Sequence, residues 1–187
     1  MSGLENKSFI TDEQLFAQWQ NGDGESFEIL LERYQGRLFR VILTWVKDFE
    51  QAEDLFQETW MRVIKHKEEF DSQRKFSSWL FQIALNLVRD QWRKEKKEQK
   101  KQEPEILEQM ASWHNPEREY EKRERKEKLL WALSQLSELE REVFMLRHFG
   151  GLSFSEIAGL LEINLNTALS RMHQAVGHLQ RILGGKE

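Results

Sequence analysis

The sequence predicts an all-α protein: two small helical domains joined by a charged linker, the second ending in a helix-turn-helix. Three observations carry this. The 187 residues include only ten glycines and two prolines, while 32% are charged, a composition that favours helices over sandwiches or barrels. Apolar residues recur at three- and four-residue steps, and no convincing strand or internal repeat interrupts them. Between the two helical stretches lies a Lys-, Glu- and Gln-rich segment that holds both prolines, Pro104 and Pro116.

Thr11-Asp-Glu-Gln14 has the spacing of a capping box and opens a short helix with Leu15, Phe16 and Trp19 inward. Asn21-Gly-Asp-Gly24 ends it. A long helix follows, through Phe27, Leu30, Leu31, Tyr34, Leu38, Val41, Ile42 and Trp45. Asp48 can cap a third helix whose inner face reads Ala52, Leu55, Phe56, Thr59 and Val63. The pattern lapses from Phe70 to Lys75. A fourth helix runs from about Ser77, with Leu80, Ile83, Ala84 and Leu87 inward, into a basic stretch. These helices bound a first domain at 1–96. From 97 to 123 the linker offers little to bury, apart from Ile106, Leu107, Met110 and Trp113. The second domain, 124–187, brings one helix face from Leu129, Leu130, Leu133 and Leu136, and another from Val143, Phe144 and Leu146 after Ser137. Gly150-Gly151 stops that helix. Ser153-Phe-Ser-Glu156 is a second capping box, Asn164 or Asn166 can cap the last helix, and Gly184-Gly185 ends it.

Composition excludes several classes. With no cysteine there is no disulfide framework and no thiolate nucleophile or metal site. No stretch approaches the roughly 18–20 apolar residues of a membrane span, and the first residues lack a signal-peptide pattern, so the expectation is a cytoplasmic protein without membrane insertion. His66, His114, His148, His173 and His178 form no metal-ligand spacing. His173 and His178 read as a DNA-facing and a solvent-facing residue. With no glycine-rich phosphate loop either, no enzyme, metal or cofactor is expected. Net charge is −4, but it is unevenly spread: residues 1–36 carry seven acids against two bases, and residues 89–101 seven bases against three acids. Such a patch can meet phosphates on an otherwise acidic protein.

Two constellations point to function. Residues 152–179 read as helix, tight turn, helix, with the second helix placed to enter a major groove. Asn164, Asn166, Thr167, Ser170, Arg171 and Gln174 would face the bases, since Asn and Gln suit adenine and Arg suits guanine. In the first domain, Asp54, Gln57, Glu58 and Arg62 share one exposed helix face. Downstream, the loop Asp71, Ser72, Gln73, Arg74, Lys75 and Phe76 can form a pocket for a flipped base, with Phe76 offering a stacking surface. On the next helix, Asn86, Arg89, Asp90, Arg93 and Lys94 follow at short helical steps, with the arginines suited to phosphates. Trp60 and Trp79 have apolar neighbours and read as core.

Four segments, NGDGESFEILLERY, AEDLFQETW, RKFSSWLFQIALNLVRDQWRK and LSQLSELEREVFMLRHFGGLSFSEIAGLLEINLNTALSRMHQAVGHL, resemble, in order and spacing, those of the extracytoplasmic-function group of bacterial sigma factors in the sigma-70 family. The resemblance covers about residues 12–94 and 126–183. It implies a protein without catalytic chemistry that joins core RNA polymerase and directs it to promoter DNA. The first domain would bind the clamp of the largest subunit through Asp54, Gln57, Glu58 and Arg62, and open the −10 element with residues 71–76, Asn86, Arg89, Asp90, Arg93 and Lys94. The second would sit on the flap of the other large subunit and read the −35 element. An anti-sigma partner is implied as well. The last helix departs from the family pattern: Thr167, Ser170 and Arg171 match, but Leu169, Gln174 and Val176 stand at positions that are commonly basic. This leads to an expectation of modest −35 affinity and greater dependence on the −10 element. The alternative is a sigma-like interaction module that binds polymerase or a regulator without strong promoter selection. The neutral last helix favours it; the basic stretch and the 71–76 loop argue against it.

Overall fold

The computed structural model describes residues 10–71, 73–98, 128–129 and 131–184, with only the backbone described over 95–98. Ser72 lies outside these residues. So does nearly all of the expected linker, including Ile106, Leu107, Met110 and Trp113. The described residues are helical, without strands: α1 (Asp12–Gln20), α2 (Gly24–Val46), α3 (Phe49–Lys65), a 3-10 turn (Lys67–Glu69), α4 (Phe76–Glu98), α5 (Glu138–His148), α6 (Phe154–Leu161) and α7 (Leu165–Leu183). A helical turn at 131–134 precedes α5.

The helix starts follow local chemistry. Thr11 and Gln14 form the expected capping box on α1, and Ser153 and Glu156 form the one on α6. Ser137 and Glu140 make a third, on α5. Asp48 accepts from the Gln51 N–H at α3. At α7 the cap is Asn164, whose Oδ1 takes both the N–H and the hydroxyl of Thr167. Gly22 breaks the chain after α1 with a φ of 98°, which a glycine adopts without steric cost. α4 starts differently: its first N–H, from Phe76, is taken by the Glu13 carboxylate of α1. A residue 63 positions upstream thus serves as its cap.

Apolar faces meet in one continuous core. α2 lies at its centre, with Leu30, Leu38, Val41 and Ile42 fully buried, and it packs against α1, α3, α4 and α5. An aromatic cluster of Phe16, Phe70, Phe76 and Trp79 joins α1, the 70–75 loop and α4, with centroids 4.5–6.3 Å apart, within the range where edge and tilted ring contacts are favourable. Trp60 is buried and Trp79 half-buried in this core, as their apolar neighbours lead one to expect. Tyr34 is buried, and its hydroxyl donates to Asp12. Burial first, and this hydrogen bond second, push the phenol up and keep it protonated. Asp12 also pairs with Arg33 at 2.7 Å, fixing α1 on α2.

The two domains are packed together. The Arg37 guanidinium of α2 donates to the Phe149 carbonyl at 2.8 Å and to the Gly150 carbonyl at 2.9 Å, just beyond α5. Arg40 lies over the Phe149 ring. Gly151 has a φ of 70°, a conformation that favours glycine, and a Cβ there would push the Arg37 guanidinium aside. Gly177, in contrast, sits within α7 beside open space: a Cβ there would meet nothing within 4 Å. Gly177→Ala should therefore stabilise the fold by about 1 kcal/mol, read as a higher midpoint in urea unfolding with an unchanged slope.

Candidate nucleic-acid and polymerase interface

α3 presents Asp54, Gln57 and Glu58 to solvent, with Arg62 half-exposed and its Nε 2.9 Å from Glu58. Ala52, Leu55, Thr59 and Val63 hold the opposite face in the core. The same exposed side carries Met61 and Ile64, 62% and 44% exposed. Sequence reasoning missed both. The available signal was their place outside the inward 52–55–59–63 face, at four and seven residues from Gln57. The face is thus mixed, with apolar contact area beside acceptors and an amide.

The 70–76 loop is pinned at both ends by buried rings, Phe70 and Phe76. Gln20 of α1 donates to the carbonyls of Lys67 and Phe70. Asp71 Oδ1 accepts from the Gln73 N–H, and Arg74 N–H is bonded to the Asp71 carbonyl; the Asp71 carboxylate is engaged in shaping the turn. Gln73, Arg74 and Lys75 are exposed, and Lys75 lies 3.8 Å from Glu13. Phe76 requires a correction. Its ring has no exposed surface, because it packs on Phe16, Tyr34, Phe70 and Trp79. It anchors the loop, and in this arrangement stacking on a base falls to no exposed ring of the loop.

Along α4, Asn86, Asp90, Arg93 and Lys94 are exposed. Gln82 donates to Asn86 Oδ1, and Arg93 pairs with Asp90 at 2.8 Å. Arg89 is half-buried and turns to the other domain, its Nη1 2.8 Å from the Glu162 carboxylate. The charge of Arg89 also acts on Glu142 of α5. Burial pushes the Glu142 carboxyl up, to about 7; Glu138 adds to the rise, and Arg171, Arg141 and Arg89 oppose it.

On α7 all six expected base-facing residues, Asn164, Asn166, Thr167, Ser170, Arg171 and Gln174, line one open concavity of about 480 Å³. Ala168, Ala175 and Leu179 hold the far side of the helix against the core. Capping commits Asn164 Oδ1 and the Thr167 hydroxyl to each other; among the described residues the Asn164 amide, Asn166, Ser170, Arg171 and Gln174 carry no such bond and offer donors and acceptors to the hollow. Leu165 and Leu169 are 46% and 42% exposed beside it. His178 keeps 39% of its side chain exposed and has a partner that the sequence did not announce. Its Nδ1 lies 3.1 Å from Glu140 Oε2 and ties α7 to α5. Burial raises the Glu140 carboxyl, but bonds from Ser137 and His178 outweigh this and hold it below the usual range. His173 is exposed. Among the described residues no helix is long and apolar enough to cross a membrane, and no cluster of metal-ligating side chains forms.

With this geometry in place, comparison with known proteins is informative. The family model for sigma-70 region 2 matches residues 30–98, and that for sigma-70 region 4 matches residues 126–179. The sigma factor CarQ of Myxococcus xanthus is 30% identical over 170 residues, covering 91% of this chain and 96% of its own length. The chain belongs to the sigma-70 family. Within it, the extracytoplasmic-function sigma factor SigW of Bacillus subtilis is 27% identical over 175 residues, covering 89% of this chain and 93% of SigW. These matches place the chain in the extracytoplasmic-function group. Two solved structures share the fold: the sigma factor RpoE in complex with the anti-sigma factor NepR from Bartonella quintana, with TM-score 0.66, 22% identity and coverage of 87% of this chain and 99% of that one, and CnrH in complex with the cytosolic domain of CnrY, with TM-score 0.63, 23% identity and coverage of 94% and 99%. The chain is thus a sigma factor, a transcription initiation factor.

Two outcomes follow from this geometry. Phe76→Ala should lower stability by about 3–5 kcal/mol, the cost of emptying a packed aromatic site, in denaturant unfolding of the full chain; a small change would mean that the ring is not held in the core. For Glu142, the raised folded value means that the native state holds a proton between about pH 4.5 and 7 that the unfolded chain has released. Its contribution therefore falls as pH rises through that window. Relative to Glu142→Gln, the wild-type protein should lose unfolding free energy from pH 5 to pH 8, and parallel pH profiles for the two would refute this.

Proposed function

We propose that this sigma factor binds core RNA polymerase through the α3 face of Asp54, Gln57, Glu58 and Arg62, with Met61 and Ile64 adding apolar contact. Residues 71–75 with Asn86, Arg89, Asp90, Arg93 and Lys94 act at the −10 element. The α7 concavity acts at the −35 element. The working units are 1–96 and 124–187, joined by 97–123; α4 itself continues to Glu98, two residues past the first limit. The protein works in the cytoplasm, where an anti-sigma factor restrains it. What carries this reading is the α7 concavity: six polar residues selected by helix position line one accessible hollow, the shape a base-reading helix offers to a groove edge.

The chemistry is recognition. Exposed Arg93 and Lys94 meet phosphates by charge. Asn166 and Gln174 offer paired donor and acceptor to adenine, and Arg171 offers two donors to guanine or a phosphate. Leu169, Gln174 and Val176 add no positive charge to the helix, so −35 affinity is modest and the −10 element contributes more to promoter choice.

Run-off transcription with purified core polymerase on a genomic promoter library tests the function, and scrambling each element in a responding promoter tests the balance. The −10 change should be the more damaging; a larger loss from the −35 change would overturn this reading of α7. Asp54→Lys should reduce co-purification with core enzyme while leaving the unfolding free energy within about 0.5 kcal/mol, as for an exposed substitution. Undiminished co-purification would remove Asp54 from the interface.

A further inference from the structure

The first domain's basic face is not bare. Two carboxylates of the second domain reach it, from α6 and from the C-cap of α6. Ser78 Oγ, in the first turn of α4, donates to Glu156 Oε1. Burial raises the Glu156 carboxyl, but the bonds from Ser153 and Ser78, with the charge of Lys75, hold it below the usual range. Three turns further along the same helix, Arg89 Nη1 meets Glu162 Oε1 at 2.8 Å. The charges of Arg171 and Arg89 both act to lower the Glu142 carboxyl. Glu162 occupies the left-handed C-cap of α6, with φ 58° and ψ 40°, a conformation in which glycine or asparagine is favoured. A glutamate there gives up backbone comfort and places an acid opposite Arg89.

We propose that Glu156 and Glu162 serve as an internal substitute for the promoter backbone, so that the second domain and −10 DNA compete for Ser78 and Arg89. The inference rests on the proposed role of α4 as the −10 helix. Arg89 is 27% exposed and Glu162 74% exposed at the side chain. A pair so open to solvent is weak and reversible, which suits a contact that DNA must displace. The free chain keeps its α7 concavity open while its α4 arginine is occupied. Arg93 and Lys94 remain exposed, so the shield is partial and acts on the arginine nearest the domain seam.

The test uses the full chain without polymerase and a fluorescein-labelled fork DNA that carries a single-stranded −10 element taken from a responding promoter and no −35 element. Glu162→Gln should bind this probe about two- to fivefold more tightly than wild type, the range a partly exposed ion pair supports. The slope of log affinity against log salt should steepen by about 0.7, one added phosphate contact on a single strand. In an Arg89→Ala background the same Glu162→Gln change should have no effect, because the competition no longer has a target. Equal gains in both backgrounds would reduce the effect to general charge, and no gain in either would remove the competition; both overturn the proposal. Transcription by the reconstituted holoenzyme stands apart from this. Its absence would sink the promoter function, whereas a working holoenzyme with a flat mutant cycle would sink the competition alone.

Discussion

The carbonyl oxygens of Phe149 and Gly150 stand just beyond α5, where the chain turns away from its helix. Arg37, more than a hundred residues upstream, donates to both with a single guanidinium. A planar fork with fixed geometry fits such a pair better than a point charge would. The same group lies over the Tyr34 ring, and Tyr34 is held by Asp12, so the contact reaches back to α1. Gly151 leaves the space the fork needs. From this one hook the placement of the second domain follows. α5 lies along α2, α6 comes against α4, and Glu156 and Glu162 of the second domain meet Ser78 and Arg89 of α4.

Much of this was legible in the chain. Helix starts were readable wherever the signal is local: Thr11 with Gln14, Asp48, Ser153 with Glu156, and Asn164 each cap the helix that their spacing announces. The inward faces of α3 and α4 followed from period alone, since a helix must repeat its buried side every three or four residues. The six residues of the α7 hollow were legible for a related reason: they are the polar residues at the cap and first turns of the helix, on the side away from Ala168, Ala175 and Leu179.

What was not legible depends on partners distant in sequence. Nothing near Phe76 says that Glu13 will cap its helix, or that Phe16 and Tyr34 will enclose its ring, and an aromatic residue in a polar loop invites a stacking role. The bond from His178 to Glu140 was not readable because the two are 38 positions apart. Met61 and Ile64 were passed over for a different reason: apolar residues on a helix are assigned inward by habit, and their exposure emerges only when the inward face is already full. The domain seam was the least readable of all, since Arg37, Gly151, Arg89 and Glu162 carry no shared pattern and acquire meaning only from the packing.

The pinned loop between Phe70 and Phe76 has a consequence of its own. Five residues separate two rings seated in one aromatic cluster, and the backbone between them is bent by Asp71 and held at its far end by Glu13. Fastening a short segment at both ends leaves it fewer conformations than a free loop of the same length. The two ends are settled when the core forms, so that part of the entropy of ordering is charged to folding, and under the proposed −10 role an arriving strand does not have to supply it.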